Sequence, residues 1–491
     1  MVKASSITIG IDVGTTGLKA VALDVESGIV ATTSRANALL SPHAGWAEAD
    51  PGQWFKNAAD AVAELSVGFG ADRIVGIGTT GMVPAFVAVG ADGRPVRAAM
   101  LQNDARAAAE VRAIAAELST ADPLQITGSP VTQQSVAPTA RWLAAHEPAT
   151  WQATRVVVGS YDWLLMALGA EPHVERNWAI ESGLFQLDGT PFDMAVSAGG
   201  MEARLAPIRP SASVVGELSI EAAVATALDP GIPLVVGGAD HVLSAYGAGL
   251  SRDGEWLIKL GGAGDILATS TAPLVDARFY LDEHPAPGLW LPNGCMATSG
   301  SLVRWVQGLL GVQDLMAMDD VAQKRRPAEV LCLPYFLGEK SPLNDPDLRG
   351  VFAGLHLGHD GVDLYRAALE GIAFGFRHNA EALTDAGANL AEATVTNGGA
   401  TSSLWKRIHA SVLGVSLRTV VDHPGAALGA AVAAAIGVGA LSGWDEIARF
   451  VHPGPTVDPD PEWLKRYDDA YAIWRELSEV SAAPMRALAR R

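Results

Sequence analysis

An aspartate stands inside an apolar, strand-like run near the start of the chain, in ITIGIDVGTTGLKAVALDV. Burying an unpaired carboxylate is costly, so Asp12 needs a partner or a task. Gly14, Thr15 and Thr16 offer amides and hydroxyls to phosphate oxygens, Lys19 offers a point charge, and Asp12 can hold a hydrated Mg²⁺. The alternative is a tight hairpin whose aspartate caps its own turn. The GxxxxGK[ST] spacing of a Walker A loop is absent.

A second aspartate follows the apolar run IPLVVGGA, where Asp240 and His241 would stand at the carboxyl end of a strand. Ligands of open α/β sheets bind at that edge. A carboxylate there can accept a proton from a substrate hydroxyl, as in other phosphoryl-transfer enzymes. The alternative is that Asp240 caps the following helix. His241 is either a ligand contact or a satisfied polar residue at a helix start.

Two glycine-rich segments lie in the second half of the chain. GGAGD at 261–265 is a candidate phosphate loop, although a run of glycines is a weak signal alone. NGGATSSLW at 397–405 places two glycines between a strand and a helix, which suits close approach by a flat ring or a ribose. From these residues alone, an ordinary strand–helix turn is the favoured interpretation of the second segment.

Strands and helices must position these residues. Two apolar runs around a Gly/Thr turn predict a β-hairpin at the start of the chain, with Gly10, Gly14 and Gly17 where the backbone turns or approaches a ligand. EWLIKLGGAGDILATS predicts a similar hairpin about 250 residues later, which suggests duplicated domains. Strand and helix signals alternate, which predicts an α/β fold. We expect strands in RIVGIGTT, RVVVG and IPLVVGG, helices over 104–118, 220–228, 363–386 and 402–414 and from 462, and loops over 283–294 and 338–350.

Composition sets the broad class. The chain has 491 residues, of which 49% are hydrophobic and 18% charged, so we expect a globular protein with two large domains. Its 35 basic against 54 acidic residues give −19, which argues against nucleic-acid binding through a general basic field. Two cysteines, Cys295 and Cys332, fit a reduced, cytoplasmic setting and exclude a disulfide framework. The start shows no signal-peptide pattern, and the apolar segment 426–444 predicts a buried small-residue helix and not a membrane span.

Taken together, these motifs resemble the FGGY carbohydrate kinases, within the actin and heat-shock-chaperone ATPase superfamily. The resemblance runs over the whole chain in order. The segments that carry it are GIDVGTTGLKA, GWAEADPGQWF, LQNDAR, VVGGADH, GEKSPLNDPDLRG, NGGATSSLWKRI, GAALGAA and, most specifically, GVFAGLHLGHDGVDLYRAALE at 350–370.

The resemblance implies two ribonuclease-H-like α/β domains around a central cleft: a sugar-binding domain over 1–248 and a nucleotide-binding domain over 249–491. It implies an enzyme that uses ATP and Mg²⁺, with Asp240 as catalytic base and Asp12 as the metal-associated carboxylate. The implied substrate-binding residues are Met82, Val83, Gln102, Asn103, Gln134, Asp240 and His241. The implied nucleotide-binding residues are Gly14, Thr15, Thr16, Lys19, Gly261, Gly262, Gly300, Gly399, Ala400 and Ser403.

The pattern is closest to xylulokinase-like members, with departures. Met82-Val83-Pro84 replaces a common Gln-Met-His, Gln102 stands where relatives have Trp, and Gly262-Ala263 replaces Thr-Ser. The expected acceptor is a ketopentose such as D-xylulose; a polyol such as xylitol or erythritol, or another ketose, stays open. A nucleotide-dependent switch without phosphotransfer is the alternative from another class. Related kinases are often dimers, so a homodimer is possible, and no membrane partner is expected.

Overall fold

The computed structural model of the protein describes residues 6–491, which divide into two compact units. Unit 1 contains the chain up to Ser251, together with Leu281–Trp290 and Pro424–Val451. Unit 2 contains Arg252–Tyr280, Leu291–His423 and His452–Arg491. The chain first changes unit close to the boundary expected at 248, and two later stretches then belong to unit 1 again.

The structure contains strands in both units. In chain order they are β1 (Ile7–Val13), β2 (Gly17–Asp24), β3 (Gly28–Ala36), β4 (Glu48–Ala49), β5 (Ile74–Gly81), β6 (Val87–Val89), β7 (Ala99–Met100), β8 (Val156–Val158), β9 (Val174–Glu175), β10 (Ile208–Arg209), β11 (Val214–Glu217), β12 (Pro233–Ala239), β13 (Glu255–Leu260), β14 (Gly264–Ala268), β15 (Tyr280–Glu283), β16 (Trp290–Met296), β17 (Leu331–Leu333), β18 (Val351–Ala353), β19 (Glu392–Thr396), β20 (Leu417–Val421) and β21 (His452–Pro453).

Helices alternate with these strands. The α-helices are α1 (Pro51–Ser66), α2 (Ala108–Glu117), α3 (Pro123–Thr127), α4 (Val136–His146), α5 (Pro148–Ala153), α6 (Ser160–Leu168), α7 (Arg176–Glu181), α8 (Asp193–Gly199), α9 (Ile220–Thr226), α10 (Asp240–Gly247), α11 (Gly300–Leu310), α12 (Leu315–Ala322), α13 (Gly361–Asp385), α14 (Ser403–Leu413), α15 (Ala426–Gly437) and α16 (Pro461–Ala489). Short 3-10 helices cover Ala71–Arg73, Gly398–Thr401 and Trp444–Arg449.

The main sheet of unit 1 has six strands in the order β11-β12-β5-β1-β2-β3. Strand β1 pairs antiparallel with β2, so the hairpin predicted at the start of the chain is confirmed. On its other side β1 pairs parallel with β5, and β5 pairs parallel with β12. Three parallel neighbours therefore end at one edge of this sheet.

Helix α15 packs against the middle of the same sheet. Its residues from Ala426 to Ala435 are all buried, which confirms a buried small-residue helix, but the helix ends at Gly437 and not at 444 as predicted. A Cβ atom on Gly10 would overlap the carbonyl oxygen of Ala427 and lie 2.5 Å from the amide nitrogen of Ala431. Gly10 was expected at a turn; it lies inside β1, where its missing side chain lets α15 approach. Among the described residues, no helix is long and apolar enough to cross a membrane.

Unit 2 is built around a second sheet, in which β16-β14-β13-β19-β20-β21 are neighbours in that order. Strands β13 and β14 pair antiparallel, which confirms the second predicted hairpin. The long helix predicted over 363–386 is α13, whose first turn is capped by Asp360. The loop predicted over 283–294 is wrong in part, because β15 runs to Glu283 and β16 begins at Trp290.

Candidate active site

Three strand ends of unit 1 lie side by side. Val13 at the end of β1 is paired with Gly81 at the end of β5, and Gly81 is paired with Ala239 at the end of β12. The Gly14–Thr16 turn, Met82 and Asp240 therefore leave the sheet at the same edge. Neighbouring strands are about 4.8 Å apart, so the backbone leaving β12 is about 10 Å from that leaving β1.

The turn after β1 is closed by main-chain and side-chain hydrogen bonds. The Gly14 amide donates to the Gly17 carbonyl over 2.9 Å. Asn37 holds the turn from the end of β3: its amide donates to the Thr16 carbonyl over 3.0 Å, and its Nδ2 donates to the Gly14 carbonyl over 2.8 Å. The sequence analysis did not single out Asn37, because nothing in its local pattern links it to a turn more than 20 residues away.

Asp12 and Lys19 face each other across the first hairpin. They are register partners on β1 and β2, and Asp12 is also in register with Thr80 on β5. Both side chains are half-buried. The turn that follows carries the Thr15 and Thr16 hydroxyls, and carboxylate and hydroxyl oxygens are ligands that suit Mg²⁺.

The segment after β5 is held firmly. Met82 and Val83 are buried, and the Met82 carbonyl accepts a 3.0 Å hydrogen bond from the Ser160 hydroxyl. Trp178 Nε1 donates to the Ala85 carbonyl over 2.9 Å. The Thr15 hydroxyl is 3.8 Å from Met82 Sδ, so the β1 turn reaches this segment.

The three predicted substrate contacts with side-chain amides differ in exposure. Gln102 is half-buried, and its Oε1 is a buried acceptor without a hydrogen-bond partner among the described residues. Asn103 is exposed. Gln134 is half-buried, and its main-chain N–H donates to the Thr132 hydroxyl over 3.2 Å. Gln102 is thus the one of these three with an unused buried oxygen.

Asp240 opens α10 with its side chain 40% exposed. Its Oδ1 accepts the main-chain N–H of His241 over 2.7 Å and lies 3.5 Å from His241 Nδ1. The opposite ring nitrogen, Nε2, is 2.7 Å from Oδ2 of Asp282 and 3.9 Å from Oε1 of Glu181. Three acids therefore surround one imidazole.

The charges of this cluster follow from its burial. Burial alone lowers the pKa of His241, but the carboxylates of Asp282, Asp240 and Glu181 outweigh it and raise that pKa well above its ordinary value. Burial, with Asp282 next in size, raises the pKa of Glu181 well above its usual range. The two shifts favour the imidazolium form of His241 and the neutral carboxyl form of Glu181. Glu181 and Asp282 are absent from the residues predicted from the sequence, because the short strand YLDE has two acids in four residues and does not mark Asp282 out.

Glu181, His241 and Asp282 also place one ligand atom each within 4.8 Å of one another, a spacing that a metal ion can use. Ligands about 2.1 Å from a shared ion lie about 3 Å or more apart. The 2.7 Å separation of His241 Nε2 and Asp282 Oδ2 is instead that of a charge-assisted hydrogen bond. We therefore assign the cluster as an ion pair.

Unit 2 contains a cavity of about 550 Å³. Four of the predicted nucleotide-binding glycines line it: Gly261, Gly262, Gly300 and Gly399. The turn between β13 and β14 is tied to the start of α11, since the amides of Ser299 and Gly300 donate to the carbonyls of Gly262 and Gly261 over 2.9 and 2.8 Å. A pocket of this size suits a nucleoside.

The remaining wall of this cavity includes residues that the sequence analysis missed. Asp319 accepts hydrogen bonds from the Tyr365 hydroxyl over 2.8 Å and the Ser402 hydroxyl over 2.6 Å. Arg304 lines the cavity beside Gly262. The lining includes Thr401 and Ser402 but not the neighbouring Ala400 and Ser403.

Comparison with known proteins places the chain in a family. The N-terminal domain of the FGGY family of carbohydrate kinases matches residues 7–247, and its C-terminal domain matches residues 258–438. This chain belongs to the FGGY family of carbohydrate kinases. The predicted family, the two-domain α/β fold and the assignment as a sugar kinase are thereby confirmed.

Individual relatives of this FGGY kinase differ in their substrates. The crystal structure of a xylulose kinase from Rhodospirillum rubrum is 39% identical with a TM-score of 0.92, over 98% of this chain and 99% of that one. The xylulose kinase of Escherichia coli is 29% identical over 86% of this chain and 88% of its own. The gluconokinase of Bacillus subtilis is 24% identical over 97% and 96%. The family implies a sugar substrate and the use of ATP.

Proposed function

We propose that this FGGY kinase transfers the γ-phosphoryl group of ATP to a hydroxyl of a ketopentose such as D-xylulose, with Asp240 as general base. The observation that carries the proposal is the shared edge of β1, β5 and β12, where the Gly14–Thr16 turn, Met82 and Asp240 leave neighbouring strands in register. A phosphate-binding turn and a proton acceptor are thus about two strand spacings apart.

Asp240 suits the role of base because its carboxylate is 40% exposed at a strand end while its Oδ1 is already held by the His241 amide. Its other oxygen is left for an acceptor hydroxyl. Phosphoryl transfer depends mainly on positioning and charge neutralisation, so a carboxylate at hydrogen-bond distance from the attacking oxygen is sufficient.

The nucleotide is proposed to bind in the unit 2 cavity, with its phosphates on the glycine turns. Gly261, Gly262, Gly300 and Gly399 line that cavity. Ala400 and Ser403 are proposed neighbours of the base and ribose. In unit 1, Gly14, Thr15, Thr16 and Lys19 are proposed to contact the transferred phosphate. Asp12 would hold Mg²⁺, which supplies charge neutralisation at the phosphate oxygens when bound.

The sugar is proposed to contact Met82, Val83, Gln102, Asn103 and Gln134 in addition to Asp240. The unused buried oxygen of Gln102 supports a hydroxyl donor at that point. Relatives named xylulose kinase support a ketopentose, and the relative named gluconokinase shows that other acceptors occur among similar chains. A polyol such as xylitol or erythritol, or another ketose, is therefore kept in the test.

We also propose a cytoplasmic location. Both cysteines are free; Cys332 is buried and Cys295 half-buried, and desolvation raises the pKa of both thiols. Buried, protonated thiols are chemically inert and fit a reducing compartment.

The test is ADP release from MgATP across ketopentoses, pentitols, tetritols, gluconate and glycerol. We expect a sharp response to one ketopentose, and loss of turnover by about a thousandfold in Asp240→Asn with nucleotide binding retained. A response to a polyol alone would show that the acceptor is a polyol and not a ketopentose, and would still support kinase activity. Near-parental turnover in Asp240→Asn would remove that residue as base. Tight nucleotide binding without transfer to any acceptor would favour a switch.

A further inference from the structure

Both ring nitrogens of His241 face carboxylate oxygens. Nε2 is 2.7 Å from Asp282 Oδ2, and Nδ1 is 3.5 Å from Asp240 Oδ1. An ionised carboxylate only accepts hydrogen bonds, whereas a neutral imidazole carries one N–H and one lone pair. A neutral ring would therefore turn a lone pair toward one of the two acids. Only the imidazolium, with a proton on each nitrogen, fits both neighbours.

Asp282, the acid that faces Nε2 of His241, is held in place by hydrogen bonds between β15 and α7. Asp282 is buried in β15. The next residue, Glu283, exchanges two hydrogen bonds with Asn177 of α7: the Glu283 amide donates over 2.7 Å and Asn177 Nδ2 donates to the Glu283 carbonyl over 2.9 Å. Helix α7 itself is capped by the carboxylate of Glu175. The carboxylate that faces Nε2 is thus held by the fold.

We propose that His241 is a positioning residue, held as an imidazolium by buried Asp282, which fixes Oδ1 of Asp240 and so presents Oδ2 to the acceptor hydroxyl. This proposal rests on the proposed role of Asp240 as base. It gives His241 a different task from direct contact with the sugar, because its two ring nitrogens already face carboxylate oxygens at 2.7 and 3.5 Å.

The proton balance of the step is simple. As the acceptor oxygen forms its bond to the γ-phosphorus, the bond from that phosphorus to the ADP oxygen breaks. The acceptor O–H also breaks, and its proton goes to Oδ2 of Asp240. Oδ1 keeps the hydrogen bond from the main-chain N–H of His241 and the charge contact with the ring Nδ1, 3.5 Å away, throughout. His241 therefore neither gains nor loses a proton during transfer.

The titratable groups around the ring come from three elements: Asp240 on α10, Glu181 on α7 and Asp282 on β15. Together they raise the pKa of His241 well above its ordinary value. Burial raises the pKa of the Glu181 carboxyl well above its usual range, which reduces its negative charge, and Asp282 has the largest raising effect on His241. Asp282 is therefore the charge whose removal should return the His241 pKa toward the ordinary imidazole range.

The experiment compares kcat near pH 6 and near pH 8 for the parent and for Asp282→Asn. In the parent, His241 stays protonated at both pH values. In Asp282→Asn it is protonated at the lower pH and loses its proton as the pH rises, so activity should be rescued by acid. We expect the ratio of the low-pH to the high-pH kcat to rise about tenfold over that of the parent.

His241→Asn and Asp24→Asn are the matched controls. His241→Asn has no titratable ring, so its kcat should fall about a hundredfold with the parental pH ratio. Asp24 is another buried aspartate of unit 1, ion-paired with Arg73 at 2.6 Å. Its replacement by Asn should lower stability and leave both kcat and the pH ratio unchanged. A parental pH ratio in Asp282→Asn, or a parental kcat in His241→Asn, would overturn the proposal.

A second measurement needs no variant at position 282. The ¹⁵N chemical shifts of labelled histidine distinguish imidazolium from neutral ring, and the His241 signal is assigned by its loss in His241→Asn. Two protonated ring nitrogens near pH 8 are expected, and a neutral ring would contradict the proposal. Asp240→Asn distinguishes the role of Asp240 as base from the role of His241 as positioning residue. An active Asp240→Asn would show that Asp240 is not the base. An inactive Asp240→Asn, with a neutral His241 ring in the parent, would overturn only the positioning role.

Discussion

Asp12 lies on β1 between two neighbouring strands, β2 and β5. It is in register with Lys19 on β2 and with Thr80 on β5, at the end of β1 that opens into the Gly14–Thr16 turn. That turn carries the hydroxyl oxygens of Thr15 and Thr16. Such a set attracts Mg²⁺ through charge and hard-donor chemistry, and an amide in place of the carboxylate keeps the shape while removing the charge.

We therefore predict that Asp12→Asn weakens the response of the enzyme to Mg²⁺. The Mg²⁺ concentration for half-maximal ADP release at fixed ATP should rise by about tenfold or more. Asp24→Asn is again a suitable control, since Asp24 is paired in register with Ile7 at the far end of the same hairpin. An unchanged Mg²⁺ titration in Asp12→Asn would show that the metal is held elsewhere.

Single residues could be predicted from the sequence only when their role shows in the local pattern. Asp12 and Asp240 stand out because each interrupts or ends an apolar run beside glycines: Asp12 lies inside β1 and Asp240 directly after β12. Asp282 lies in the short strand YLDE, where a second acid follows it, and its partner His241 is 41 residues away on another element. No local spacing links two such residues, so the ion pair appears only once the chain is folded.

At the scale of elements, the turn after β13 depends on the start of α11. The amides of Ser299 and Gly300 hold the carbonyls of Gly262 and Gly261, and a Cβ on Gly300 would lie 2.7 Å from the Gly261 oxygen. The side chain is absent at 300 because the two backbones touch. Both hairpins could be predicted from apolar runs around glycines, whereas this contact between a turn and a helix could not.

Gly300→Ala should therefore push the β13–β14 turn out of place. Overpacking costs about 1–3 kcal/mol, so the KM for ATP should rise roughly tenfold to a hundredfold. The KM for the sugar should be unchanged. Gly308→Ala lies on the same helix with no atom within 4 Å of the added Cβ, and should instead stabilise the helix by about 0.5–1 kcal/mol. Equal ATP affinity in both variants would show that the β13–β14 turn does not contribute to nucleotide binding.

At the scale of the whole chain, unit 1 is completed by residues that come much later in the sequence. Helix α15 lies more than 400 residues after β1, yet the Thr8 hydroxyl donates to the Ala431 carbonyl over 2.8 Å. Gly10 and Gly78 lack the side chains that would collide with this helix. Its apolar residues cover all faces, which is typical of a buried helix. The pattern could predict burial but not the partner, because a helix without a polar face carries no directional signal.

We expect that the first 251 residues cannot fold on their own. Expressed alone, they lack α15 and expose the apolar middle of their sheet, so we expect a species without a cooperative thermal transition. Joining residues 424–451 to their end through a flexible linker should restore cooperative unfolding, measured by circular dichroism. Gly10→Ala in the joined fragment is the matched control, because its Cβ would overlap the Ala427 carbonyl and should abolish the rescue. Cooperative unfolding of residues 1–251 alone would mean that the main sheet of unit 1 is stable without α15.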